Sequence, residues 1–395
     1  MKPLRILHTD FHSGWGGQAS RILMLSTELA RRGHHVTIAA PPGELSGKAR
    51  QAGLPDLAVD DGFAFRAPSH AASFLRDIRR MRALLKQEPF DVVDVHGSQD
   101  TWVTAVARLS GGLPRCLIMT RHNTKRVRSG WANRLLYRRL IDHLIIVDES
   151  VRRQYETFLS AGVLEDRRIS VIPSAYRTDL FHDSVDGSRV RDELGLTSSS
   201  FAVGVAGRLV ADKGHIFLMR AAAALKPRLP GLVLLFAGTG PDEERLRRQA
   251  LELGLADSIR FLGFRADIAE VEAAFDVAVL PSIGCDASSA SIKEAMALGV
   301  PVVATDIGGA RSIIEDGVTG AIVRPGEPGD LAEALASIAK DREAARRMAE
   351  RARQEVSLRF SIQRLADETL SVYASVMHQQ AGHRAWVMPR GGQAA

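Results

Sequence analysis

Short apolar runs separated by helix-forming stretches recur through this chain, twice over, and no other feature limits its fold as strongly. In the first half the runs are LRILHT, HVTIAA, DVVDVH, CLIMT, LIIVD and ISVIP. They are dense in Val, Ile and Leu, as a strand buried on both faces requires. Stretches of helical period lie between them at Gln18–Arg32, Ala71–Lys86 and Trp131–Ile141. The second half repeats the scheme with FAVGVAGR, LVLLFAG, IRFLG, VAVLPS, PVVAT and AIVRP. Its helices are predicted at Ile216–Leu225, Glu243–Leu253, Ile268–Ala274, Ser291–Leu298 and Leu331–Lys340. Strands that alternate with helices form parallel sheets covered on both sides. Two such sets in 395 residues predict an α/β protein of two doubly wound, Rossmann-like domains. The boundary is expected within IPSAYRTDLFHD, giving domains at 1–178 and 179–360, a helix at 361–380 and a disordered tail at 381–395.

Composition narrows the class. Hydrophobic residues at 45% and charged residues at 25% suit a soluble globular protein. The two cysteines, Cys116 and Cys285, lie far apart without ligand spacing. They argue against a disulfide framework or a zinc site and fit a reducing cytosol. No run approaches the roughly 18 apolar residues of a membrane span. MKPLRILHTD has too short an apolar part for a signal peptide and reads as a first strand, so a cytoplasmic protein is expected.

Charge is unevenly spread. Residues 1–178 hold 27 Lys and Arg against 17 Asp and Glu, a net +10, and the remainder nets −4. The basic half suits an anionic acceptor or anionic lipid headgroups, and so a peripheral position on the inner face of the cytoplasmic membrane. WANRLLYRRLIDHL is either a helix lying on such a surface or an ordinary surface helix burying Trp131, Leu135 and Leu136. Nucleic acid is the rival partner. It is not expected, because no recognition motif is present and aromatics are only 6%. Solvated surface arginines account for these charges equally well.

Ligands of doubly wound sheets bind outside the carboxyl ends of the strands, and a cleft between two such domains is the default site. The motifs fall on those loops. DFHSGWGGQASRIL places Gly14, Gly16 and Gly17 before a helix, where free N–H groups suit a phosphate or a sugar hydroxyl. A tight strand-to-helix turn explains the glycines as well. GVAGRLVADKGH carries Arg208 and Lys213 five residues apart after Gly207, a pair of cations suited to a diphosphate. The alternative is a solvated loop. In FAGTGPDEERL, Gly238 and Gly240 permit close backbone approach to a ligand. His122, just past the strand end in MTRHNT, sits where a catalytic group belongs, and His96 is similarly placed after DVVDV. Either is otherwise a structural hydrogen-bonder. PSIGCDASSASIKEAMALG offers Asp286 to sugar hydroxyls, and Ser288, Ser289 and Ser291 as helix caps. Glu294 in the same stretch suits the paired hydroxyls of a ribose. A capping-box partner reaching back to a serine is the other reading of Glu294. Lys293 suggests no role.

Together PS, EAMALGVPVVATDIGG, AGRL with DKG, FAGTGP, FLGF and DGVTGAIVRPGE resemble the retaining glycosyltransferases of family 4, which have the GT-B fold. The resemblance covers nearly the whole chain. It implies that a nucleotide-sugar donor is held by the C-terminal domain and a glycan, lipid-linked or lipopolysaccharide-like acceptor by the N-terminal domain. The last helix would cross back onto the N-terminal domain. Arg208 and Lys213 would bind the diphosphate, with Gly207 and Gly238 beside it. Glu294 would bind the ribose. Asp286, with Ser288 and Ser289, would meet the transferred hexose-like sugar. Gly16 and Gly17 would approach the diphosphate or acceptor, and His122 the reacting centre. No metal or cofactor is implied, and the donor is a substrate whose base (UDP, GDP or ADP) the residues do not distinguish. The family's first glutamate is Asp286 here, its usual turn is Ala287-Ser288-Ser289, and its IPNGVD segment reads IPSAYRTD. These departures bear on the donor sugar. The rivals are a nucleotide-sugar epimerase of the same architecture and a non-catalytic nucleotide-sugar-binding scaffold.

Overall fold

The computed structural model describes residues 2–54, 56–57, 70–109, 114–284 and 288–387. The chain divides into two compact units, Met1–Pro173 with Ile362–Ala395, and Ser174–Ser361.

The first unit holds seven strands: β1 (Arg5–Thr9), β2 (His35–Ala39), β3 (Asp56–Leu57), β4 (Val92–Val95), β5 (Cys116–Arg121), β6 (His143–Ile146) and β7 (Ile169–Val171). Their spatial order is β3-β2-β1-β4-β5-β6-β7, with parallel pairing throughout. Consecutive residues such as Ile6 and Leu7, Val92 and Val93, and Ile145 and Ile146 are all fully buried, so both faces of the sheet are covered. Six of the strands correspond to the apolar runs. The seventh, β3, is two residues long and too short to leave a pattern.

The second unit repeats the plan with β8 (Phe201–Ala206), β9 (Leu232–Ala237), β10 (Ile259–Gly263), β11 (Val277–Leu280), β12 (Val302–Thr305) and β13 (Ala321–Val323), in the order β10-β9-β8-β11-β12-β13. One face packs on a cluster containing Phe275, Met296 and Phe360, the other on Phe201, Leu218 and Phe236. Each fully buried aromatic there contributes roughly 2–3 kcal/mol.

In both sheets the strand order reverses once, between β1 and β4 and between β8 and β11. At such a reversal the loops leaving neighbouring strands part in opposite directions and open a crevice at their carboxyl ends. Three of the motif loops follow β1, β4 and β5, and three follow β8, β9 and β11.

Two helical expectations change. Trp131–Ile141 is not one α-helix. An α-helical turn, Trp131–Leu135, passes into a π-helix, Leu136–Leu140. The wider turn buries Leu136, Tyr137 and Leu140, with Tyr137 edge-on to Phe158 at 5.0 Å, and leaves Trp131 81% exposed. The last helix, Ile362–Val387, belongs to the first unit. There Arg32 donates to the Gln363 carbonyl at 3.1 Å, the Tyr373 hydroxyl to Asp94 at 2.7 Å and Gln380 to Asp142 at 2.9 Å. Helix continues past residue 380 to Val387, where the sequence predicts an unstructured tail, because extending a helix already formed needs no new nucleation. No helix among the described residues is long and apolar enough to cross a membrane.

Candidate active site

In the second unit three loops are fastened together. The loop after β8 is drawn onto the loop after β9 by the Gly207 N–H donating to the Ala237 carbonyl at 2.9 Å and the Leu209 N–H to the Thr239 carbonyl at 3.0 Å. Gly238, at φ +145°, leaves no room for a side chain: a Cβ there would lie 2.0 Å from the Gly207 carbonyl oxygen. Arg208 is exposed beside this contact and its side chain has no partner among the described residues. Lys213, half-buried, ends the 3₁₀ turn Ala211–Lys213.

That turn is joined in its own right to the stretch after β11. The N–H groups of Ile283 and Gly284 donate to the Asp212 carbonyl at 2.8 and 3.2 Å. Gly214, at φ +68°, would set a Cβ 2.0 Å from the Pro281 carbonyl oxygen. The backbone therefore holds the turn bearing Lys213 against the start of PSIGCDASSASIKEAM. Asp286, with Cys285 and Ala287, lies outside the described residues.

The serines do not act as the expected caps. Ser289 occupies the N-cap position of Ala290–Ala297 without a side-chain cap bond, its hydroxyl lying 3.2 Å from that of Ser291. Glu294 is the fifth residue of this helix, too far along for a capping box. It is half-buried, and burial raises its pKa above the usual carboxylate range, partly offset by the charges of Lys293 and Arg177. Behind it Glu272 is buried, and neither carboxylate oxygen is bonded among the described residues. Burial and the charge of Glu294 raise its pKa further. Lys293 is wholly buried. Its ammonium donates to the Ser174 carbonyl at 2.7 Å and the Ser288 hydroxyl at 2.9 Å, and stands 5.0 Å over the ring of Phe360. The lysine without a sequence-level role thus ties Ser288 to the beginning and end of the unit.

In the first unit Gly16 precedes the helix Gly17–Arg31 in extended conformation (φ −179°). Among the described residues a Cβ at Gly14, Gly16 or Gly17 would meet no atom within 4 Å, so no packing seen there demands these glycines. Buried Asp10 organises it, accepting from the backbone N–H of His12 at 3.0 Å and from the Gln18 amide at 2.8 Å, and bonding the His12 ring at 3.0 Å. That bond raises the pKa of His12.

His96 and His122, both past strand ends, are joined. His96 Nδ1 lies 2.9 Å from His122 Nε2, and His8 Nδ1, on β1, lies 3.0 Å from His96 Nε2. His8 faces Asp94 in the parallel register of β1 and β4, and His96 is two residues further along the same face. Asp94 accepts from Thr120 at 2.8 Å and Tyr373 at 2.7 Å, and burial raises it to about 7. His8, Asp94 and His96 are the one set of three potential metal ligands converging among the described residues, within 4.8 Å. Their facing nitrogens already bond one another and the carboxylate is doubly engaged, which is the pattern of a hydrogen-bonded core. His8, Asp10, His12 and Glu272 escaped sequence reading because each sits inside a segment that reads as strand, turn or helix.

A cavity of about 420 Å³ opens over this region, lined by His12, Gln18, His96, Arg121, Lys125 and Arg126 among others. Its basic wall comes from the loop after β5.

Residues 15–180 match the family described as Glycosyltransferase Family 4, and residues 188–355 match Glycosyl transferases group 1. A D-inositol 3-phosphate glycosyltransferase of Saccharomonospora viridis is 30% identical over 398 aligned positions, covering 92% of this chain and 90% of that one. The chain belongs to glycosyltransferase family 4. A second relative of this glycosyltransferase, the putative glycosyltransferase EpsD of Bacillus subtilis, is 32% identical over 193 residues, about half of each protein (49% and 50%). Among solved structures, Anabaena HepE in complex with UDP-glucose superposes with a TM-score of 0.79 at 24% identity, covering 94% of this chain and all of that one. The fold is GT-B, as the motifs implied.

Proposed function

We propose that this glycosyltransferase moves a hexose-like sugar from a nucleotide-sugar donor to a glycan or lipid-linked acceptor with retention of anomeric configuration and without a metal. Residues of the second unit hold the donor. Arg208 and Lys213 neutralise the diphosphate and its departing charge. Glu294 accepts both ribose hydroxyls, Asp286 with Ser288 and Ser289 meets the sugar, and Gly207 and Gly238 lie along the phosphates. One observation carries the reading: the backbone bonds from Ile283 and Gly284 to Asp212 hold the cationic turn against the stretch leading to Glu294. The crystallised Anabaena relative binds UDP-glucose, which makes UDP-sugars the first donors to try.

The acceptor takes the basic cavity of the first unit, beside Gly16, Gly17 and His122. An anionic group on the acceptor suits Arg121, Lys125 and Arg126, and the relatives named for inositol 3-phosphate act on a substrate of that charge. In the reaction the bond from the sugar's anomeric carbon to the diphosphate breaks. The acceptor oxygen bonds the same face, and its proton passes to a phosphate oxygen of the leaving nucleotide. A cytoplasmic enzyme resting on the membrane's inner face fits exposed Trp131 and Leu135 among arginines.

Thermal-shift screening of UDP-, GDP- and ADP-sugars, then nucleotide release with an acceptor panel, tests this. Stabilisation by one donor class and acceptor-dependent release are expected. Glu294→Ala is expected to lose transfer by about a hundredfold or more, the loss of two hydrogen bonds to a charged group. Full turnover by that variant would sink the assignment.

A further inference from the structure

We propose that His8 and His96 are positioning residues that fix His122 as the tautomer carrying its proton on Nδ1, so that His122 presents an N–H donor outward. This rests on the reading that His122 stands at the reacting centre.

The three rings form one file. Both junctions join an Nδ1 to an Nε2, at 3.0 and 2.9 Å, and both ring pairs are tilted by 37° with centroids 5.3 and 5.2 Å apart. His8 and His96 are buried, at 0% and 2% exposure, so an imidazolium there would lose its hydration. The charged groups around the file do not reverse that. Arg21 and Arg121 oppose a further positive charge, and His12 acts likewise on His122. Asp94 stands 4.0 Å from His8 and 3.8 Å from His96, but its oxygens are engaged by Tyr373 and Thr120. Each ring is therefore neutral and owns one N–H.

Three neutral rings with two junctions have only two consistent orders of protons. In one, every proton sits on Nδ1: His8 donates to His96, and His96 donates to His122. In the other, every proton sits on Nε2 and the donations run inward. The inner end decides between them. His8 Nε2 is buried and has no hydrogen-bond partner among the described residues. The inward order would leave an N–H orphaned in the core, whereas the outward order leaves only a bare ring nitrogen. Orphaned buried N–H groups are the rarer defect in proteins. The outward order therefore holds, and His122 Nε2 is occupied by His96. What His122 offers a substrate is a donor, suited to an oxygen of the acceptor or of the departing phosphate, and not a lone pair able to remove the acceptor's proton.

Long-range ¹H–¹⁵N correlation on the ¹⁵N-labelled full chain reads the tautomer directly. The expected spectrum at pH 7 shows His122 with a protonated Nδ1 and a bare Nε2, unchanged between pH 5 and 8. A proton on Nε2, or titration of His122 within that range, overturns the proposal. In His8→Asp an acceptor replaces the inner donor, the inward order is favoured, and His122 is expected to carry its proton on Nε2. An unchanged His122 would remove His8 from the role. Should that variant not fold, His96→Gln puts the same question to the outer junction, and the unmodified chain's spectrum already decides the tautomer. The functional reading fails separately: full transfer by His122→Phe would sink it while leaving the file intact.

Discussion

Glu294 and Glu272 set two residue-scale expectations with opposite signs. A carboxylate must be ionised to accept both ribose hydroxyls, and burial raises the pKa of Glu294. Donor affinity is therefore expected to fall as pH drops below neutral, measurable by calorimetry from pH 5 to 8 with UDP-glucose as the probe. An unchanged dissociation constant across that range would count against the ribose role. Stability runs the other way. A carboxyl whose folded pKa is raised costs stability as pH climbs past its unfolded value near 4.3. Glu272, buried with both oxygens unbonded among the described residues, is such a group. Glu272→Gln keeps the shape and removes the charge, so it should raise the melting temperature at pH 8 and change it little at pH 5. Equal shifts at both pH values would mean that the gain is not electrostatic. Neither behaviour was legible in the sequence. Glu272 reads as one polar residue of an amphipathic stretch, and what sets its acidity is burial by distant segments together with the charge of Glu294.

The loops separate two uses of glycine that look alike in sequence. Gly214 is demanded by the protein itself, through its positive φ and the Pro281 carbonyl 2.0 Å from where a Cβ would stand. Gly214→Ala is expected to cost about 1–3 kcal/mol and to loosen the stretch leading to Glu294, lowering both melting temperature and donor affinity. Gly16 is demanded by nothing among the described residues, since its backbone is extended and the surrounding space is open. Gly16→Ala should leave the melting temperature unchanged and yet reduce transfer, if the substrate approaches that backbone. Full activity in this variant would leave the loop without a substrate role. The strands were legible because paired apolar neighbours such as Val92 and Val93 leave a local record. The helix boundary at Leu136 was not, because a π-turn is decided by what packs against it.

At the scale of the whole molecule, the basic first half remains to be matched with a partner. Trp131 and Leu135 stand exposed among Arg134, Arg138 and Arg139, where burial of all three apolar residues was one of the two expectations. The chain is expected to sediment with phosphatidylglycerol-containing vesicles and not with purely phosphatidylcholine ones, and to be released by salt. Replacing Trp131 and Leu135 by Ala should weaken that binding. Equal binding to both vesicle types would remove the membrane from the account.

The bond from Tyr373 to Asp94 joins residues 279 positions apart within a single unit. The first unit is thus built from both ends of the chain, with a complete second unit between them. During synthesis, therefore, the contacts that Ile362–Val387 makes with the strands of the first unit can form only after the whole of Ser174–Ser361 has been made.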